Sequence, residues 1–249
     1  QQLMAVYGDK VGQKISLADV YAIAANLTAK YRNDGYILTQ VVVPPQTISD
    51  GIVRLRIVEG ELDQIRVDGP GAQGSNADVI RLYVQELKSH GVLNNKNLEK
   101  TLLLINDLPG VTARSVLSPS KTKVGASDLA ILVERKSYDG TVGVNNKGSR
   151  FLGQWQATAG AALNSVLGYN ERIEAQIAYA PSGRGVDYEL MYGELVGTVP
   201  VGKYGTKLQA NLGSSNTQPG HTLKQFDVLG QSRFGGVKVL QPIVRSREF

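Results

Sequence analysis

Two histidines, His90 and His221, are the only imidazoles in the 249 residues, and neither has a partner at metal-ligand spacing. His90 lies where a helix should end, a place that suits a dipole contact better than catalysis. His221 lies in a turn rich in Gly and Pro. Glu59 and Glu61 flank Gly60, and a carboxylate pair split by a turning glycine reads as a junction between elements rather than an acid–base site. The stretches 8–12 (GDKVG) and 183–185 (GRG) are too short for a phosphate loop and lack its strand-to-helix setting. No G-x-S-x-G elbow is present. The formal charge is +5, but the basic residues are scattered. Arg54 with Arg56, and Lys121 with Lys123, are pairs rather than a groove, and no nucleic-acid motif accompanies them. Cysteine is absent, which excludes disulfides and thiol chemistry. These residues point away from an enzyme, from a metal or organic cofactor, and from nucleic acid.

The elements that would carry a binding scaffold instead recur along the chain. Leu17, Val20, Tyr21, Ala24, Leu27, Thr28 and Tyr31 follow helical spacing, with Ser16 as N-cap and Asp19 three residues on. Gly35 suits the left-handed residue that ends such a helix. A shorter helix is expected over residues 2–8. Strands are expected over 36–43 and beyond the turn at Asp50 and Gly51, with Pro44 and Pro45 interrupting the pairing. The layout then returns: a strand over 62–69, a helix over 77–89 capped by Asn76 and ended by Gly91, and a helix over 96–107 stopped by Pro109 and Gly110. Strands over 111–117 and 129–134 complete it. Strand, helix, helix, strand, strand makes a repeat of about seventy residues, too long for short solenoids. The first copy fits if its opening strand lies before Gln1. A small sheet with two helices on one face is the simplest packing for it.

Residues 138–249 change character. Ile173, Ala175, Ile177 and Tyr179 alternate with polar neighbours. Val186, Tyr188, Leu190 and Tyr192 oppose Asp187 and Glu189, and Leu208, Ala210 and Leu212 oppose Lys207, Gln209 and Asn211. Turn residues separate these windows, at Gly168, Pro181, Gly202, Gly205 and Gly220. Such alternation fits either a membrane β-barrel or a soluble antiparallel sandwich. For the barrel, the expected lipid face is Ile173, Ile177, Tyr188, Leu190 and Tyr192, and the expected lumen face is Glu174, Glu189 and Gln209. No run of about eighteen apolar residues exists for a transmembrane helix, which says nothing against a barrel. The first residues carry no leader pattern, so the chain is expected to start downstream of one or to lack one.

The stretch GYILTQVVVPPQTISDGIVRLRIVEGELDQIRVDG resembles the first POTRA (polypeptide-transport-associated) domain of the TpsB transporters, outer-membrane partners in two-partner secretion. Tyr31, Gly35, Tyr36, Pro44, Gln46, Gly51, Glu59 and Gly60 carry that match. LNNKNLEKTLLLINDLPGVTARSVLSPS resembles the second POTRA domain. From about Tyr138, VNNKGSR at 144–150 followed by Gly153, Gln154 and Trp155 resembles the start of the family's barrel. The resemblance implies α+β POTRA repeats followed by antiparallel transmembrane β-barrel strands. The units would span 1–61, 62–137 and 138–249, the last being the first strands of a barrel completed elsewhere.

What the resemblance implies about function is protein transport at the cell outer membrane of a Gram-negative bacterium, with the POTRA units in the periplasm. The partners would be the N-terminal secretion domain of an unfolded TpsA-type exoprotein and outer-membrane lipid, and the transporter would act as a monomer. Capture would proceed by strand addition, in which an extended client pairs with a sheet edge and side-chain pockets give selectivity. Candidate client-binding residues are Val111, Ala113, Ser115, Val116 and Leu117 on one strand and Tyr36, Leu38 and Gln40 on another. The alternatives are a barrel-assembly factor acting on other outer-membrane proteins and a soluble periplasmic protein-binding module. Gln46 and the turn at Pro44 favour the secretion branch.

Overall fold

The computed structural model describes residues 3–49, 51–89, 92–182 and 187–244. The first unit opens with α1 (Met4–Tyr7) and a 3-10 turn over Gly8–Lys10, so the helix expected over 2–8 is shorter and begins later; Gln2 lies outside the described residues. Helix α2 (Leu17–Asn33) starts at a capping box: the Ser16 hydroxyl accepts from the Asp19 amide and the Asp19 carboxylate accepts from the Ser16 amide. The Ser16 hydroxyl also donates to the Asp19 carboxylate at 2.6 Å, and this bond, with that from the Ser16 amide, holds the Asp19 carboxyl below its ordinary value. Gly35 ends the helix at φ +97°, and the Tyr36 amide turns back to donate to the Tyr31 carbonyl at 2.9 Å.

That turn shortens the next strand. Instead of 36–43, β1 covers only Gln40–Val42, and it pairs antiparallel with β2 (Arg56–Val58). Tyr36 and Leu38 stay in the turn because the Thr39 amide donates to the Tyr36 carbonyl, while Ile37 and Leu38 pack onto the core of the next unit. Gly51 takes φ +70°, and Ser49 bridges Ile52 across it. Asp50 is outside the described residues. Ala24, Leu27 and Val41 form the small core of this unit.

The second unit follows the expected order. Strand β3 (Leu62–Asp68) leads into α3 (Ser75–Ser89), α4 (Asn95–Asn106), β4 (Val111–Pro119) and β5 (Ser127–Arg135). The sheet order is β3-β5-β4, with β3 parallel and β4 antiparallel to the central β5. Leu129, Ile131 and Val133 of β5 face both helices and are fully buried. Asn94, not a residue inside the helix, caps α4. Asn76 is not the cap of α3: the helix begins at Ser75, and Asn76 lies buried inside its first turn. His90 and Gly91 lie outside the described residues.

The remaining strands form a six-stranded antiparallel meander, β6 (Tyr138–Asn145), β7 (Gln156–Asn164), β8 (Arg172–Pro181), β9 (Tyr188–Val201), β10 (Thr206–Thr217) and β11 (Gly230–Leu240). Its register sorts the side chains onto two unlike faces. Ile173 pairs with Gly197, Ile177 with Gly193 and Tyr179 with Met191, and the same face continues through Val142, Ala159, Leu212 and Val237. The other face carries Arg172, Glu174, Gln176, Glu194, Gln209 and Lys238. Val142 is 90% exposed and Val237 72% exposed on the apolar face, an apolar expanse that water would not tolerate and lipid would. Exposed aromatics mark both rims, with Tyr138, Tyr169 and Tyr204 at one and Trp155 and Phe226 at the other.

The register corrects part of the expected face assignment. Ile173 and Ile177 are on the apolar face and Glu174 and Gln209 on the polar one, as expected. Tyr188, Leu190 and Tyr192 are on the polar face: Tyr192 pairs with Ala178 and Leu190 with Ala180, beside Gln176 and Glu174. Glu189 has the opposite parity, at the rim, and Val186 is outside the described residues. Strand β9 is apolar at most positions, so alternation within it could not choose a face. Glu194 shares the parity of Tyr192 and accepts its phenol hydrogen bond at 2.7 Å, which fixes that face as polar.

Two outcomes follow from this architecture. A Cβ on Gly35 would sit 2.9 Å from Asn94 Oδ1 at a backbone angle that L side chains rarely adopt. Gly35→Val should therefore cost about 1–3 kcal/mol, read as a lowered unfolding temperature of the helical signal in the full-length protein; an unchanged transition would contradict this. On the sheet, Ile177→Arg should impair membrane insertion, at about 2–4 kcal/mol near the midplane, whereas Gln176→Arg and Leu190→Arg should be tolerated. Heat-modifiable gel mobility of the full-length protein measures this, and equal behaviour of the Ile177 and Gln176 variants would refute a lipid face.

Candidate functional site

Strand β4 is an edge of its sheet, and its backbone parity defines what the edge offers. Lys136 donates to the Gly110 carbonyl at 2.7 Å, so the even-numbered residues from Gly110 pair into β5. The odd-numbered residues turn their N–H and C=O groups outward. Of these, Ala113 is already occupied: its amide donates to Asn106 Oδ1 at 2.9 Å, and Asn106 Nδ2 donates to its carbonyl at 3.1 Å. Ser115 and Leu117 follow with outward backbone groups, and Pro119 closes the strand with no N–H to give.

The side chains alternate against this. Val111 is buried and its amide donates to the Leu108 carbonyl at 3.1 Å, while Ala113 and Leu117 pack on the core, so of these three only Leu117 keeps an outward amide without a partner among the described residues. Val116 and Arg114 point to solvent on the other sheet face, Arg114 3.7 Å from Glu134. Val116 is opposite Ala130 in the hydrogen-bonded parity, so its amide belongs to the sheet interior and not to the edge.

The second candidate strand is far less open. The Val41 amide, the outward group of β1, donates to Thr28 Oγ1 at 2.9 Å, and Thr28 itself donates to the Ala24 carbonyl of α2. Gln40 lies on β1 with an exposed side chain, but Tyr36 and Leu38 are off the strand. Tyr36 stacks edge-on against Tyr31 at 6.3 Å. Leu38 faces Gly60, where a Cβ would come within 2.4 Å of the Leu38 carbonyl, so only glycine fits.

The remaining matched residues have structural roles. Gln46 accepts from the Arg54 amide and donates to the Arg54 carbonyl, both at 2.8 Å, and reaches the Pro44 carbonyl at 3.3 Å. Its carboxamide thus continues the β1–β2 ladder past the point where Pro44 stops the main chain. Gly35 receives the Asn95 amide on its carbonyl at 2.8 Å and so ties the first unit to the start of α4. Glu59 is exposed, and Glu61 pairs with Lys123 at 2.6 Å. Sequence reasoning missed Thr28 as a cap and Asn106 entirely. An Asn in the last turn of a helix, just before a strand, was the signal available.

A polar seam joins the second unit to the meander. Arg135 donates to the Ser165 carbonyl at 2.8 Å, and the Ser165 hydroxyl donates to Asn76 Oδ1 at 3.3 Å. Asn164 donates to the Lys136 carbonyl and to Asp139, and Arg172 donates to Asn164 and to Asp139. In the adjoining turn, burial opposes ionisation of Glu171, but the amides of Leu167 and Tyr169 donate to it and hold its carboxyl below the ordinary value. His221 stacks edge-on against Phe151 in the loop before β11. No cluster of metal-ligating side chains occurs among the described residues.

Comparison with known proteins gives this arrangement a family. Residues 1–60 match the family model of the ShlB-type POTRA domain, and residues 125–248 match that of the haemolysin secretion/activation protein ShlB/FhaC/HecB. The heme/hemopexin transporter protein HuxB of Haemophilus influenzae is 27% identical over 249 residues, 100% of this chain and 43% of the relative. The outer membrane transporter CdiB of Escherichia coli is 24% identical over 183 residues, 73% of this chain and 29% of the relative. The chain thus spans less than half the length of these relatives. Among solved structures, CdiB from Escherichia coli superposes with a TM-score of 0.65 at 21% identity, covering 86% of this chain and 39% of that one. CdiB from Acinetobacter baumannii does so at 0.61 and 17% identity, covering 99% and 47%; both speak for the fold. With POTRA-type units, an outer-membrane-type sheet and family matches on both parts, the chain belongs to the ShlB/FhaC/HecB family of TpsB-type transporters.

Proposed function

We propose that this chain is the periplasmic and early barrel part of an outer-membrane transporter of two-partner secretion. Residues 1–61 and 62–137 act as two POTRA units, and residues 138–249 open the barrel. The units capture a TpsA-type exoprotein through its N-terminal secretion domain while it is extended, and hand it to the pore of the complete barrel. A single transporter chain, embedded in outer-membrane lipid, serves as the working unit. Family membership supports this reading over barrel assembly.

The observation that carries it is the edge of β4. Ser115 and Leu117 present unpaired backbone donors and acceptors, one covalent step from the barrel sheet through β5 and residues 136–137. An extended client can add there as a further strand, with backbone bonds giving affinity and alternate side chains giving selectivity. Thr28 leaves no equivalent opening on β1, so the second unit is the better acceptor.

Proline tests the edge directly. Ser115→Pro removes an outward donor without breaking the β4–β5 ladder, whereas Val116→Pro breaks the ladder and should unfold the unit. In the full-length protein, Ser115→Pro should lower secretion of the cognate exoprotein by about tenfold, while Ser115→Ala should secrete normally. Normal secretion by a Ser115→Pro transporter that inserts at wild-type level would remove the β4 edge from the mechanism.

A further inference from the structure

Asn106 occupies the backbone of Ala113 as a neighbouring strand would. One carboxamide provides both an acceptor for the Ala113 amide, at 2.9 Å, and a donor for its carbonyl, at 3.1 Å. The same Nδ2 also donates to the Leu102 carbonyl at 2.8 Å, which anchors the side chain to α4 and holds it in this position. At the far end of β4, Pro119 withholds an N–H. The outward backbone is therefore bracketed: Ala113 is closed by a side chain, Ser115 and Leu117 are open, and Pro119 offers a carbonyl only.

We propose that Asn106 is a positioning residue that sets the register of strand addition, by closing β4 at Ala113 and restricting an incoming extended polypeptide to Ser115–Pro119. This deepens the reading of the β4 edge as the client acceptor and rests on it. Two features of the chain support a guard rather than an incidental contact. Gln46 makes the same two-bond contact with Arg54 in the first unit, where it continues a ladder. Thr28 closes Val41 from α2 as Asn106 closes Ala113 from α4. In both units a helix side chain decides where the edge ends. A carboxamide is suited to this because it matches a peptide group in donor and acceptor yet adds no further edge for a client to follow.

The test uses the full-length protein in detergent, with a short soluble peptide of alternating Thr and Val as the incoming strand and residue-resolved amide hydrogen exchange as the readout. In the wild type, the peptide should slow exchange at Ser115 and Leu117 and leave Ala113, already slow, unchanged. In Asn106→Leu, Ala113 should exchange fast without peptide and become protected with it, and the peptide should bind about fivefold tighter, the gain of roughly one net hydrogen bond. Asn106→Asp keeps the acceptor, so Ala113 should stay slow in the free protein while its carbonyl loses its donor, and affinity should fall relative to Asn106→Leu. An Ala113 amide that remains slow in Asn106→Leu, or peptide protection that stops at Ser115 in that variant, overturns the guard. Failure of the peptide to protect Ser115 and Leu117 in any variant instead overturns the β4 edge as acceptor, which the Ala113 exchange rate alone distinguishes from a failure of the guard.

Discussion

Every strand edge in this chain exposes backbone groups that must find partners, and the structure is organised around how each edge meets that demand. A peptide N–H or C=O left without a partner costs about 1–3 kcal/mol when removed from water. In the first unit the demand is met by Thr28 and Gln46, in the second by Asn106 and by Pro119, which has no donor to satisfy. In the meander the inner strands meet it through five consecutive antiparallel pairings, while β6 and β11 each pair on one side among the described residues. On β4, Ser115 and Leu117 keep outward backbone groups without a partner among the described residues.

The two units do not hang loosely on one another. Gly35 passes the chain out of α2, accepts the Asn95 amide and lies against the side chain of Asn94, the cap of α4. Ile37 and Leu38 then enter the core of the second unit, and Gly60 closes over Leu38. At the other end Arg135, Asn76, Asn164 and Ser165 fix the second unit against the β7–β8 turn. Gly110 is required there, since a Cβ would come within 2.1 Å of the Lys136 carbonyl and 2.8 Å of Asn164. The open edge of β4 is thus held in a set position relative to the strands of the meander.

The polar face of the meander is itself linked by hydrogen bonds. Glu194 receives bonds from Gln176, Tyr192 and Asn211 across three strands, and Arg172 joins Asp139 to Glu174. Such bonds hold neighbouring strands in register on the polar face, while the opposite face is apolar from β6 to β9 through Val142, Ala159, Ile173, Ile177 and Leu195, and carries Ser214, Asn216, Gln231 and Arg233 beside Leu212 and Val237 on β10 and β11.

The sequence by itself determined the elements and their order. The Ser16 and Asp19 cap, the left-handed Gly35, the strand–helix–helix–strand–strand order of the second unit and the period-two windows were all legible, because each depends on neighbours within a few residues. Tertiary structure alone decided the rest. The strand expected over 36–43 contracted to Gln40–Val42 because Ile37 and Leu38 found a better burial site in the next unit. Tyr188, Leu190 and Tyr192 changed face because a strand apolar on both sides takes its orientation from the register of β8, not from its own alternation. Val116 proved to be bonded inward and Ser115 outward, and Asn106 emerged as the cap of Ala113, because backbone parity is set by the partner strand and by a helix seven residues away. Local patterns fix which segments pair and bury; which peptide groups remain open is a property of the assembled sheet.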